Sequence, residues 1–199
     1  MYIMHKVVTG HTKYADKKRT SPARTLICVG SGGHTSEMLA LTQSLDVRRY
    51  HPRYYILANT DKTSLVKIHK QEILSDGREG IDYNIKVIPR SRNVDQSYLS
   101  SILTTLRSVL SSVPLVVRIK PDVILCNGPG TCVPICLVAF ILKVALVCNS
   151  KIVFVESFCR TRTFSLSGKI LMYVADNVLV QWPSLKKKLK RSDYIGQLM

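Results

Sequence analysis

Acidic residues are scarce in this sequence: Asp and Glu number 13 against 29 Lys and Arg, a formal charge of +16 with a pI near 9.8. A field of that sign favours polyanionic partners, namely nucleic acid, an anionic membrane or a phosphorylated small molecule. Apolar runs long enough to span a bilayer are also missing. The best stretch, Pro134–Cys148, is interrupted by Lys143 and as a helix would reach about 22 Å at 1.5 Å per residue. That falls short of the roughly 30 Å hydrocarbon core, so it reads first as a buried core helix and second as a shallow membrane contact. The six cysteines (Cys28, Cys126, Cys132, Cys136, Cys148, Cys159) include no Cys-x-x-Cys pair and have no nearby histidine, so no metal site is expected. Met1–Arg24 has no apolar core of a signal peptide, and reduced thiols in a cytosol-facing domain are the expected state. Nucleic acid is not an expected partner either, because neither a recognition motif nor an aromatic platform accompanies the charge.

What the chain does have is a rhythm. Its 199 residues, 46% of them hydrophobic, suffice for one α/β domain with a single core. Residues 1–24 are polar and basic, without periodicity, and read as a flexible N-terminal arm. Strands are predicted at Thr25–Val29, Tyr54–Ala58, Asn84–Ile88, Asp122–Cys126, Lys151–Val155 and Asn177–Gln181. Helical segments fall between them: one carrying Met38, Leu41, Thr42 and Leu45, then a polar one within Lys62–Leu74. A third has Leu99, Ile102, Leu103, Leu106, Val109, Leu110 and Val113 on one face and serines and threonines on the other, and two more lie at Thr131–Val147 and Ser167–Ala175. Such alternation predicts a Rossmann-like open parallel sheet with helices on both faces, covering residues 25–183. Residues 184–199 read as a basic tail. No internal repeat is present.

Four loops follow strands and carry the candidate chemistry. Gly30-Ser31-Gly32-Gly33-His34-Thr35 follows the first strand and opens a helix, where free backbone N–H groups and the helix dipole favour an anion. It fits the dinucleotide fingerprint G-x-G-x-x-G/A imperfectly, since Thr35 stands at the third glycine position and Gly33 is additional; Asp61, after the second strand, keeps a ribose-binding acid open. His34, at the helix N-terminus, is expected to be largely neutral and able to accept a proton, although a structural hydrogen-bonding role is the ordinary one. Asn127-Gly128-Pro129-Gly130-Thr131 repeats the glycine–helix arrangement after the fourth strand, so that two such loops form a crevice at one sheet edge. After the fifth strand, Glu156 is open to three readings: a base, an acceptor for a sugar hydroxyl, or, by default, an ion-pair partner of Arg160. Ser157 lies beside it. After the third strand, Arg90 and Arg92 are candidates to clamp phosphate, with solvent exposure the equal alternative.

Taken together, Gly30–Met38, Arg90-Ser91-Arg92, Pro121–Thr131, Glu156–Arg160, Ser165–Lys169 and Val180-Gln181-Trp182-Pro183 resemble one family. It is that of the membrane-recruiting, acceptor-side subunits of the two-part UDP-N-acetylglucosamine transferase of dolichol-linked oligosaccharide assembly, and the resemblance runs from about Arg24 to Met199. It implies half of a split GT-B glycosyltransferase, inactive alone, that adds a second GlcNAc, β1,4-linked, to GlcNAc-diphosphodolichol at the cytosolic face of the endoplasmic reticulum. A catalytic partner would bind most of the UDP-GlcNAc donor, and no resident cofactor is implied. The chain itself would recruit that partner and hold the lipid-diphosphate acceptor with Gly30, Ser31, Gly32, Gly33, Thr35, Arg90, Arg92, Asn127, Gly128, Gly130, Thr131, Ser157 and Arg160. His34 is the first candidate for the base and Glu156 the second. Tyr194, Ile195, Gly196, Gln197, Leu198 and Met199 match the family's partner-docking tail. The membrane surface and the transferase that installs the first GlcNAc-phosphate are the other implied partners. Members commonly carry an N-terminal membrane helix, whereas Met1–Arg24 is hydrophilic here, which leaves three readings open: an isoform, a shortened gene model, or a chain held peripherally by its basic surface.

Overall fold

Short apolar runs that bury both faces suit the inner strands of a parallel sheet, and their covering helices come from the segments of 3.6-residue period. In the computed structural model, which describes residues 19–90 and 98–197 and side chains of the third helix from Ile102 onward, this expectation holds. The order is β1 (Thr25–Cys28), α1 (Gly33–Gln43), β2 (Arg53–Ala58), α2 (Lys62–Leu74), β3 (Tyr83–Ile88), α3 (Tyr98–Ile119), β4 (Val123–Asn127), α4 (Cys132–Val144), β5 (Lys151–Val155), α5 (Leu166–Leu171), β6 (Asn177–Val180), α6 (Pro183–Lys188) and β7 (Asp193–Tyr194). All strand pairs are parallel, in the order β3-β2-β1-β4-β5-β6-β7. The chain works outward from β1 to β3 and then returns to place β4 against the other side of β1. That reversal puts the loops after β1 and β4 side by side, at the position where open α/β sheets bind ligands.

Alternate residues divide the core between the two faces. Leu26, Cys28, Ile56, Ile124 and Cys126 pack with Val116 and Ile119 of α3 and with Cys132, Ile135, Cys136 and Ala139 of α4. Ile27, Val29, Tyr55 and Leu57 pack with Met38 and Leu39 of α1 and Ile68 of α2. Each fully buried aliphatic side chain contributes about 1.5–3 kcal/mol. The second face also holds a buried charge pair: Arg53 Nε and Nη2 donate to Glu72 Oε1 and Oε2 at 2.7 and 2.6 Å, and Tyr55 Oη donates to Oε1 at 2.5 Å.

Two features differ from the sequence reading. The apolar face of α3 points outward: Ile102, Leu103, Leu106, Leu110 and Val113 are exposed, while Ser108 and Ser112 turn inward. Their hydroxyls donate to Pro89 O and Ser108 O at 3.1 and 2.7 Å, so a serine face can be buried without leaving donors unpaired. Leu99 is outside the described side chains. Among the described residues, the helix long and apolar enough to cross a membrane is Ile102–Ile119; of Pro134–Cys148, Pro134–Ala139 is buried apart from the partly exposed Leu137, whereas Val144–Val147 is exposed. In addition, the sheet does not stop at residue 183. The segment read as a basic tail forms α6, whose Leu185 is buried, and β7, which pairs with β6 through Leu179–Asp193 and Val180–Tyr194.

Candidate functional site

The residues after β1 build an open helix N-terminus. Gly32 takes a φ of +66° and occupies the N-cap of α1, which no side chain caps. Ser31, Gly32 and Gly33 are exposed, leaving the first-turn N–H groups available to an outside acceptor. Arg90, after β3, leans over from the next strand but one, and its Nη2 donates to Ser31 Oγ at 3.3 Å. On the other side the β4 loop presses against the β1 loop: a Cβ on Gly30 would lie 2.5 Å from Pro129 Cβ, and one on Gly128 would lie 2.6 Å from His34 Cε1. Both glycines are therefore required by close approach, and Gly128 also by its φ of +58°.

His34 sits in this crevice with its side chain about a third exposed. Its Nδ1 is buried and lies 3.6 Å from Glu37 Oε2, just outside hydrogen-bond reach. Glu37, one turn along α1, ties the helix to the ends of β4 and β5. Its Oε1 accepts from Ser157 Oγ at 2.8 Å and from Phe158 N at 3.2 Å, and its Oε2 accepts from Asn127 Nδ2 at 2.9 Å. Burial pushes the Glu37 pKa up, but the adjacent His34 imidazole, the Ser157 hydroxyl and the Phe158 N–H outweigh it and hold the carboxyl below its usual value. Asn127 Nδ2 also donates to His34 O at 3.3 Å, while its Oδ1 is buried without a partner.

Several expected ligand-binding residues turn out to face inward. Thr35 is fully buried, donating to Gly30 O and contacting Ser64 Oγ at 2.6 Å, so it shapes the loop rather than meeting a ligand. Thr131 is buried at the start of α4, and the hydroxyl of Ser157 is committed to Glu37. Glu156 is corrected as a candidate base. It is completely buried, with Oε1 accepting from Ser157 N at 3.1 Å and Oε2 from Ser165 N and Oγ at 3.0 and 3.2 Å. Burial raises its pKa despite those bonds, and an acceptor hydroxyl has no route to it. Its default ion pair with Arg160 does not form either; Arg160 is exposed. Instead Glu156 holds α5 close, where a Cβ on Gly168 would lie 2.3 Å from Oε2.

Asp61 is likewise occupied as the N-cap of α2, accepting from Ser64 N and Oγ at 3.1 and 2.6 Å, which weakens the ribose-acid reading. Gly130 is exposed at the crevice rim, and Arg92 lies outside the described residues. At the other end of the sheet, Tyr194 and Ile195 are exposed on the edge strand, with Ile195 N donating to Val180 O at 3.1 Å. Gly196 and Gln197 follow them, and Leu198 and Met199 lie outside the described residues. Glu37 is the residue the sequence reading did not single out. Its signal was the spacing from His34, since residues three apart share a helix face.

Comparison with known proteins shows the family and the fold. The family described as "Oligosaccharide biosynthesis protein Alg14 like" matches residues 25–198. Proteins named UDP-N-acetylglucosamine transferase subunit ALG14 are similar to the chain at 51% identity in Mus musculus, covering 88% of this chain and 83% of that protein. The Homo sapiens protein of that name is 48% identical, with 87% and 82% covered. The Schizosaccharomyces pombe protein is 45% identical, with 92% and 86% covered. Among solved structures, MurG of Acinetobacter baumannii superposes with a TM-score of 0.61 at 15% identity, over 82% of this chain and 43% of MurG. A kitacinnamycin glycotransferase gives 0.50 at 11% identity, over 88% of this chain and 51% of its own. The chain thus has the fold of one half of such a transferase.

Proposed function

Since this chain belongs to the family of Alg14-like oligosaccharide biosynthesis proteins, and is by that membership a UDP-N-acetylglucosamine transferase subunit, we propose that it forms the acceptor-side half of a two-chain enzyme. The enzyme adds a second GlcNAc, β1,4-linked, to GlcNAc-diphosphodolichol at the cytosolic face of the endoplasmic reticulum membrane. This chain is inactive alone and recruits the catalytic partner, which holds most of the UDP-GlcNAc donor; no resident cofactor takes part.

The observation that carries the reading is the crevice at the β1/β4 reversal. It combines an uncapped helix N-terminus, Arg90 on Ser31 and a half-open imidazole. The exposed N–H groups of the glycine loop and Arg90 suit the acceptor diphosphate. His34 takes the proton of the acceptor 4-hydroxyl as O4 bonds to the donor's anomeric carbon, whose bond to the UDP oxygen breaks and releases UDP. The lipid tail stays in the bilayer, against which the exposed apolar face of α3 lies, while the edge strand Asp193–Tyr194 and the residues after it receive the partner.

The test is reconstitution of this chain with its partner, UDP-GlcNAc and a short-chain GlcNAc-diphospholipid. Product is expected only when both chains are present, and His34→Ala should abolish turnover at saturating acceptor. A chain that only localises its partner would keep full activity with His34→Ala and Arg90→Ala, and that result would refute an acceptor-side role.

A further inference from the structure

Outside the residues already assigned, the most heavily bonded polar side chain near the crevice is Glu37. It is buried, at 4% exposure, and it joins α1 to the loops after β4 and β5 through Asn127, Ser157 and the Phe158 N–H. A carboxylate buried at such a junction is costly unless its oxygens are satisfied. Oε1 has two donors, whereas Oε2 has one, with the buried His34 Nδ1 standing 3.6 Å away and otherwise unpartnered. An unpartnered ring nitrogen thus faces a carboxylate oxygen that has room for a second donor.

Resting on the acceptor-side reading above, we propose that Glu37 is the positioning residue for His34, holding it in the tautomer with the proton on Nδ1. An ionised carboxylate only accepts, so the ring nitrogen that faces it must carry hydrogen. Because Nδ1 is buried, the exposed third of the ring lies on its Nε2 side. Nε2 is then the unprotonated nitrogen, free to take the proton of an acceptor hydroxyl. The ring also packs closely against Gly128, where it leaves no room for a Cβ. Glu37 keeps its charge in this role, since its bonds outweigh the effect of burial.

Substituting Glu37→Gln removes the obligatory acceptor and offers an amide N–H to Nδ1 in its place. In the reconstituted enzyme we expect kcat to fall on the order of 100-fold with little change in the acceptor KM. Nitrogen-15 NMR of histidine-labelled chain should show His34 leaving the Nδ1–H tautomer. Glu37→Asp retains the charge and should keep the Nδ1–H form with part of the turnover. Ser157→Ala loosens only Oε1 and should leave the tautomer in place, whereas a merely structural Glu37 would give the same spectra for both variants. An unchanged tautomer in Glu37→Gln, or unchanged kcat, overturns the proposal. If His34→Ala keeps its turnover, the base itself is misassigned; if His34→Ala is inactive while Glu37→Gln is not, this pairing alone fails.

Discussion

Gly128 offers a way to move His34 without altering any titratable group. Alanine at this position would place its Cβ 2.6 Å from His34 Cε1 and 3.1 Å from Nδ1. Ordinary van der Waals contact begins near 3.4 Å, so the ring must retreat by close to an ångström or the β4 loop must lift by as much. A misplacement of about 1 Å at a reacting group can cost on the order of 100-fold in rate. The backbone adds a separate penalty, because a φ of +58° suits glycine and costs an L-residue about 1–2 kcal/mol. For a chain of this size that is a melting shift of about 2–4 °C per kcal/mol, which leaves the protein folded. The assay is initial-rate kinetics of the reconstituted enzyme beside thermal melting. Gly80→Ala serves as the matched control, since Gly80 also has a positive φ, +84°, but meets nothing within 4 Å. It should lose comparable stability and keep its activity. Turnover of Gly128→Ala within about twofold of normal, in a folded protein, would refute the idea that the crevice depends on where His34 sits.

Glu72→Ala strands the buried Arg53 guanidinium, and should lower urea stability by about 3–5 kcal/mol. Ser157→Ala removes a hydrogen bond to the buried Glu37 carboxylate and should cost about 1.5–3 kcal/mol at neutral pH. The folded Glu37 pKa lies below its ordinary 4.5, so that stabilisation is present above 4.5 and is lost as pH falls through the depressed value. The deficit of the variant in denaturant melts should accordingly shrink in acid. Leu106→Glu with Leu110→Glu places charge on the outward face of α3, and flotation with anionic vesicles should drop severalfold while the melting temperature holds; undiminished flotation would remove α3 from the membrane contact. Deleting Tyr194–Met199 should abolish co-purification of the catalytic partner, and unchanged association would exclude the edge strand as its dock.

Strands and helices were legible because their patterns report directly on burial. Thr25–Cys28, Val123–Asn127 and Lys151–Val155 are apolar on both sides, as inner parallel strands must be, and each lies within a residue of its predicted span. The glycine loops were legible as tight turns before helices, and Gly30 and Gly128 are held there by close contact with Pro129 and His34, whereas the adjacent pair Gly32-Gly33 meets nothing within 4 Å. Orientation was the harder matter. Periodicity locates the apolar stripe of α3 but not whether it faces a core or a partner, and the buried stripe is instead Ser108, Ser112, Val116 and Ile119. Side-chain direction within the site was similarly hidden. Thr35, Ser157 and Glu156 look like ligand groups in a loop sequence, yet their hydrogen bonds close inside the protein. The short strand Asp193–Tyr194 carries too few residues for any pattern, and only pairing with β6 defines it.

The direction of α3 ties its exposed face to the crevice. A helix that follows a parallel strand starts at the strand's C-terminal edge and runs back antiparallel to it. Tyr98 therefore begins near the same edge as Ser31 and Arg90, and of the exposed apolar residues of α3 Ile102, Leu103 and Leu106 lie toward that edge, with Leu110 and Val113 leading away from it. A membrane lying along this face would keep the first turns of α3 and the crevice at one depth. An acceptor whose diphosphate sits at the headgroup level could then enter the site without lifting its tail from the bilayer. Under the proposed membrane role the high positive charge would act in the same sense, since a basic residue near an anionic surface is worth about 1 kcal/mol. Under the proposed acceptor-side role, the outward turn of α3 would let the acceptor be reached from within the plane of a membrane.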